Sequence, residues 1–216
     1  MIPLRLENVK TKIIYHSYQG FEVKTLVVSL KDKLRILNTR EGYREASFVI
    51  NHYNPRPLWD SMQGQIEEFE EGLPLRLGLP PGETTLLTTA ADMDNLAVCT
   101  KNYEEFVVCC LVTAGVKNNA QRIGEDEAIL VERDGRFESS PGTINIILLT
   151  NTTLTDAAMA RTIITATKAK TSDLQDLDIR SSYTPQNQAA GTGTDNIIVV
   201  SGNGPLVMGA MPRWES

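Results

Sequence analysis

The chain of 216 residues has little of what usually announces a function. It has two histidines, His16 and His52, far apart in sequence, which argues against a protein-bound zinc site. It has three cysteines, Cys99, Cys109 and Cys110, and no CxxC. The adjacent pair lies in FVVCCLV, which reads as a strand. Neighbouring strand side chains point to opposite faces, so Cys109 and Cys110 are poor disulfide partners, and three free thiols fit a reducing compartment. No run of about 18 apolar residues suggests a membrane span, and the charged N-terminus (Arg5, Glu7, Lys10) does not read as a signal peptide. The expectation is a cytoplasmic protein with no membrane partner. There is no G-x-S-x-G, H-E-x-x-H, P-loop or dinucleotide-binding glycine motif. Basic residues do not dominate either: 21 Lys and Arg against 27 Asp and Glu give a net charge of −6, which argues against a nucleic-acid partner.

What is present suits one globular domain over residues 1–216. The chain is 41% hydrophobic and 22% charged, enough for a sizeable core and too apolar for disorder. Short apolar or β-branched runs at Val23–Leu30, Leu34–Leu37, Ala46–Ile50 and Phe106–Val112 predict strands. A further strand is expected over Ala128–Glu132, and Ile144–Leu149 (INIILL) and Asn196–Ser201 read as core strands. Ser61–Glu71 predicts a short surface helix. Asn51–Trp59 and Gly72–Gly82 carry prolines and glycines that predict loops. Thr155 predicts a helix N-cap, with Asp156 suited to the positive end of the helix dipole and Lys168 and Lys170 to its far end. The helix after it is rich in alanine and threonine, as expected of one packed closely on a sheet. Strands outnumber helices early and a strand–helix–strand unit closes the chain, so the fold class is α/β or α+β: a single-domain sandwich of mixed sheet flanked by helices.

Three polar turns stand at the ends of apolar strands: TAGVKNNAQRIG (Thr113–Gly124), PGT ending at Thr143, and GTGTD (Gly191–Asp195). A rigid sheet positions such turns, so they are common places for catalytic groups. The Thr143 hydroxyl, directly after Gly142, can attack an amide carbonyl if a base lies nearby; threonine is also simply a good residue for starting a strand. The side-chain amides of Asn118 and Asn119 can donate to a developing oxyanion, although asparagine is equally at home in turns. Gly191 and Gly193 allow close backbone approach, while Asp195 argues against phosphate. His16, His52 or Asp195 is the candidate proton carrier.

Taken in order, TAGVKNNAQRIG, PGTINIILLTNTTLTDAAMARTIITATKAKTSDLQDL and GTGTDNIIVV resemble the adenosylcobinamide amidohydrolase family. The resemblance covers roughly Leu86 to Ser201. It implies cleavage of the amide joining the aminopropanol arm to the corrin ring, giving adenosylcobyric acid and 1-amino-2-propanol, a reaction of cobinamide salvage for cobalamin synthesis in archaea and some bacteria. It implies a corrinoid substrate and no added cofactor, since the cobalt belongs to the substrate. A large corrin needs a broad cleft. Asn51–Trp59 and Gly72–Gly82 are expected to build it, with Tyr53 and Trp59 as stacking surfaces. A homo-oligomer is compatible with the sequence.

A second, more distant similarity is to DmpA-type β-aminopeptidases, which have two sheets between helix layers (αββα) and a nucleophile opening a strand. That similarity implies Thr143 as nucleophile, Asn118 or Asn119 as oxyanion donor, and Ser181 or Ser182 in support. In that family chain cleavage frees the nucleophile's own amine as base, whereas this chain is continuous at Gly142–Thr143. A self-processing hydrolase of small amides and a corrinoid-binding protein are therefore the alternatives. The substrate-binding set expected from these segments takes Thr113 and Gly115 from the first turn, Gly142 and Asn145 around Thr143, and Ser181 and Ser182 from the polar loop. Gly191, Thr192, Gly193 and Thr194 complete it.

Overall fold

The structure is a computed structural model that describes residues 2–62, 65–127, 132–133, 136–137 and 142–207. Its centre is an eight-stranded mixed sheet. The strands are β1 (Val9–Tyr18), β2 (Phe21–Asn38), β3 (Gly42–Tyr53), β4 (Thr84–Thr89), β5 (Ala97–Tyr103), β6 (Phe106–Ala114), β7 (Ile144–Thr150) and β8 (Asn196–Val200). The order across the sheet is β4-β3-β2-β8-β7-β6-β5, with β1 also paired to β2.

The sheet folds over on itself, and β2 is the hinge. Its first half pairs with β1 and β3, its end with β3 and β8, and the register shifts between Ser29 and Leu34. A shift of this kind bends a strand and increases its twist. One leaf (β1, the first part of β2, β3, β4) thus faces a second leaf (β5–β8). Alternation sorts the side chains by face. Leu26, Val28, Val49, Leu87, Leu111, Ile147 and Ile198 point between the leaves and form the central core. On the outer face of the first leaf, Val23, Val27 and Ile50 meet Leu58, Met62, Phe69 and Leu73 from two helices, α1 (Arg56–Ser61) and α2 (Ile66–Arg76). On the outer face of the second leaf, Ile144, Ile146, Ile197 and Val199 meet Met159 and Leu174 of α3 (Asp156–Asp176). The α-β-β-α layering expected from the sequence is present, built from one continuous sheet.

The long helix begins as its sequence predicts: the Thr155 side chain accepts from the Ala158 N–H at 3.2 Å. Thr162, Thr167 and Thr171 donate to carbonyls four residues back at 2.9–3.0 Å, which satisfies hydroxyls otherwise awkward in a helix.

Several expectations are corrected. Asn51–Trp59 is not a loop: β3 runs to Tyr53 and α1 starts at Arg56. Pro55 caps that helix and Pro57 lies in its first turn, where the missing N–H would have no partner anyway. Gly72–Arg76 continues α2 despite Gly72 and Pro74, because Phe69, Leu73 and Pro74 are buried against the sheet and packing outweighs propensity. Strands β1, β4 and β5 carry no strong apolar alternation and were not expected. The expected strand over Ala128–Glu132 lies largely outside the described residues, as does the stretch just before Gly142. In the tail, Leu206–Val207 pairs with Thr153–Leu154. Among the described residues no helix is long and apolar enough to cross a membrane.

Candidate functional site

The three polar turns meet at the start of β7. Thr143 is buried, and its carbonyl accepts the Gly115 N–H at 2.9 Å, which extends the β6–β7 ladder by one step. Gly142 has φ +129°, a region that side chains rarely adopt, and a Cβ there would stand 2.8 Å from Asn119 Cβ and 2.9 Å from the Gly115 carbonyl oxygen. Glycine is required by both conformation and space. The Gly142 carbonyl accepts two hydrogen bonds, from Asn119 Nδ2 at 3.0 Å and from the Thr194 hydroxyl at 2.7 Å. Asn119 is fully buried, and its amide is oriented from behind: Oδ1 accepts from Tyr183 OH at 3.1 Å and Gln121 Nε2 at 3.3 Å. The bond between Gly142 and Thr143 therefore has a doubly hydrogen-bonded carbonyl on one side and a hydroxyl on the other.

That hydroxyl donates to the Thr194 carbonyl and lies 3.5 Å from Asn145 Oδ1. Asn145 belongs to a buried polar chain between the leaves. Its Nδ2 donates to Asn51 Oδ1 and to the Thr88 carbonyl, both at 2.9 Å, and Asn51 Nδ2 donates to the Thr113 hydroxyl at 2.9 Å. Thr113, Asn51 and Asn145 are 0–1% exposed. Asn145 and Thr113 thus support Thr143 from the interior; they do not line a surface open to substrate.

Asp195 is not placed as a proton carrier. Its Oδ1 accepts from the Ile144 N–H at 3.0 Å and the Thr192 hydroxyl at 2.6 Å. Its Oδ2 accepts from the Thr192 N–H at 3.0 Å and from Lys170 Nζ. These four donors occupy both carboxylate oxygens and leave no spare geometry for a reacting group. The expectation that Lys168 and Lys170 suit the far end of the helix dipole is corrected too: α3 runs on to Asp176 and its last turn holds no basic residue, while Lys170 reaches this carboxylate.

The histidines do not join the site. His52 follows Asn51 on β3, and Asn51 points between the leaves, so His52 points outward beneath α2. There Thr25 Oγ1 lies 2.6 Å from His52 Nδ1 and 3.1 Å from His16 Nε2, and the His52 ring sits 5.4 Å from that of Phe69. Among the described residues, the buried His52 Nε2 has no partner within hydrogen-bond geometry. Burial first, then the positive charge of His16 and Arg76, push the His52 pKa down to about 3. Burial and Arg76 lower His16 as well. Unfolding returns His52 to about 6.5. The unfolded chain then binds the extra proton between these values, so stability rises with pH through that window and is lost as pH falls from about 6.5 towards 3, by at most about 1.4 kcal/mol per unit for this group. Urea unfolding between pH 7 and 5 is expected to show that slope in the wild type and a flatter one in His52→Asn. Equal slopes would remove His52 as the cause.

Ser181 is buried and structural: its hydroxyl donates to Asp126 Oδ2 at 2.6 Å and accepts the Tyr183 and Thr184 N–H groups at 3.0 Å. Ser182 is exposed, and its N–H donates to the Ala120 carbonyl at 2.8 Å. Asn118 is exposed and lines a small cleft of about 180 Å³ with Arg56, Ala90, Gly115, Lys117 and Gly142. This cleft opens beside the Gly142–Thr143 bond. Gly191 and Thr192 are buried in a short pairing with Ala120–Gln121, which ties the first and third turns together, while Gly193 is exposed. No group of three or more His, Cys, Asp or Glu side chains suited to a metal is found among the described residues.

Sequence reasoning missed Asn51, Gln121, Tyr183 and Lys170. Asn51 carried a signal: it continues the inward-facing alternation of β3 (Val49, Asn51) with a polar residue. Lys170 carried another, as the one cation in the A-K-T segment. Gln121 carried one in its place, two residues after Asn119 in the same turn, whereas Tyr183 carried none, because it reaches Asn119 only through the fold.

The sequence profile of the adenosylcobinamide amidohydrolase family matches residues 7–211. The chain is 46% identical over 193 residues to an uncharacterized protein of Methanocaldococcus jannaschii, covering 85% of this chain and 75% of that protein. It is 27% identical over 181 residues to adenosylcobinamide amidohydrolase of Methanosarcina mazei, covering 83% of this chain and 75% of that one.

Proposed function

Since this chain belongs to the adenosylcobinamide amidohydrolase family, we propose that it hydrolyses the aminopropanol amide of adenosylcobinamide, with Thr143 as the nucleophile. The products are adenosylcobyric acid and 1-amino-2-propanol. The observation that carries the reading is the pairing of the Thr143 hydroxyl with donors, Asn119 Nδ2 and Thr194 Oγ1, aimed at a carbonyl one residue away. In acyl transfer the hydroxyl oxygen attacks the amide carbon, its proton passes to the leaving nitrogen, and the C–N bond breaks. Water then hydrolyses the Thr143 ester. Donors fixed before the reaction stabilise the tetrahedral oxyanion without reorganisation. The cleft beside Gly142, with Asn118 and Lys117 on its wall, is the entry for the scissile amide. The test is incubation with adenosylcobinamide: stoichiometric release of 1-amino-2-propanol supports the reading. A change in the visible spectrum without release means a corrinoid-binding protein instead.

One observation favours a second, linked reading. The donor pair now holds the chain's own Gly142 carbonyl, and no histidine or free carboxylate adjoins Thr143 among the described residues. Attack of Thr143 on Gly142 would move the acyl group from nitrogen to oxygen. Hydrolysis of that ester would leave a free α-amine on Thr143, able to take the hydroxyl proton. Intact mass spectrometry decides: two fragments support self-processing, and a single 23.9 kDa species that turns over substrate excludes it.

A further inference from the structure

On the helix side of the 191–195 turn lies an ion pair that neither the proposed reaction nor the core accounts for. Lys170 Nζ meets Asp195 Oδ2, and the two side chains are only 13% and 14% exposed. Gly191 belongs to the same arrangement, because a Cβ there would collide with both Asp195 Oδ2 and Lys170 Nζ. The pair forms one wall of a cavity of about 250 Å³ between α3 and the second leaf. Among the described residues the rest of the wall is uncharged, with Thr39, Ile144, Ile163, Thr167 and Thr192 on it.

We propose that Lys170 is a positioning residue for the reaction at Thr143, acting through Asp195. The path is short. Asp195 Oδ1 holds the Ile144 N–H, next to the nucleophile, and the Thr192 hydroxyl. The neighbouring Thr194 carbonyl takes the Thr143 hydroxyl, and the Thr194 hydroxyl donates to the Gly142 carbonyl. One carboxylate therefore sets the spacing between the start of β7 and the turn that contacts both nucleophile and carbonyl. A buried carboxylate keeps its charge and place when a counter-charge is beside it, and removing one partner of such a pair leaves the other uncompensated. Without Lys170, Asp195 loses the contact that holds Oδ2, turns outward and releases the Ile144 and Thr192 amides. Displacements of about 1 Å at reacting groups cost on the order of 100-fold in rate.

A salt bridge serving stability alone predicts something different, and the cavity supplies the means to tell them apart. Lys170→Ala opens space continuous with the cavity, large enough for a small alkylammonium ion to stand in for the lost ammonium. Lys170→Met fills the same space without charge. With adenosylcobinamide as substrate, Lys170→Ala is expected to lower kcat by about 10- to 100-fold with little change in KM. Propylammonium should then restore most of the loss in Lys170→Ala and none in Lys170→Met. Hydrogen exchange at the Ile144 and Thr192 amides should quicken in Lys170→Ala and slow again with propylammonium.

Because the proposal rests on Thr143 chemistry, wild type and Thr143→Ala are assayed alongside. If wild type fails to release 1-amino-2-propanol, the function reading falls and the exchange data alone judge the clamp. Amide exchange unaltered in Lys170→Ala overturns the proposal. So does kcat within twofold of wild type, or a loss that propylammonium does not reverse.

Discussion

Thr143→Ala is expected to abolish corrinoid amide hydrolysis, lowering kcat by about 10³-fold or more, while the protein remains folded. The activity loss follows from removing the hydroxyl that opens β7 and adjoins a carbonyl held by two donors. The fold should tolerate it. The carbonyl that accepts from Thr143, that of Thr194, also accepts from Asn196 Nδ2 at 2.8 Å, so it keeps a partner. The stability cost is then about 1 kcal/mol, that of one ordinary hydrogen bond. Thr143→Ser retains the oxygen and should retain most of the turnover. Aminopropanol release from Thr143→Ala within a few fold of wild type would end the nucleophile assignment.

Asn119 gives the second large effect. Asn119→Ala is expected to reduce kcat by about 10²- to 10³-fold, the usual consequence of deleting one oxyanion donor. Its stability falls by about 1–3 kcal/mol, because Gln121 Nε2 loses a buried acceptor. Asn119→Asp separates the two roles. Aspartate keeps the acceptor for Tyr183 and Gln121 but turns an oxygen towards the Gly142 carbonyl, where the amide now donates. If Asn119 only braces the turn through Tyr183 and Gln121, Asp should be milder than Ala. If it donates to an oxyanion, Asp should be at least as damaging, since a carboxylate there repels the developing charge. Should the chain process itself, both variants should also remain uncut, so kinetics and mass spectrometry read the same donor twice. An Asn119→Asp variant with near wild-type kcat would count against the donor role.

The contrast between Asn118 and Asn119 shows where sequence stops. Side by side in one turn, they were interchangeable as oxyanion donors, because nothing local says which amide turns inward. The fold separates them: Asn119 is buried against Gly142, and Asn118 is exposed on the cleft. The histidines make the same point from the other side. Both seemed available as bases, yet the period-2 alternation of β3 sends His52 to the face opposite Asn51 and pairs it with His16 through Thr25. That alternation was readable along the strand. Which face would meet Thr143 was not, because it depends on the sheet bending at β2 and closing on itself.

By itself the sequence determined the family, the N-cap at Thr155, the strands that open at Ile144 and Asn196, and the three polar turns. The family rests on several segments taken in order, and each of the others is set by residues within a few positions of one another: a capping hydroxyl, an apolar run, a glycine where φ is positive. Only the tertiary structure decided that those turns converge. It also decided that Asp195 is held by four donors, including Lys170 from 25 residues away, and that the histidines lie behind the first leaf. Hydrogen bonds and ion pairs of this kind join residues that chain order keeps apart. Their partners exist only once the hydrophobic faces of two leaves and three helices have been buried against each other.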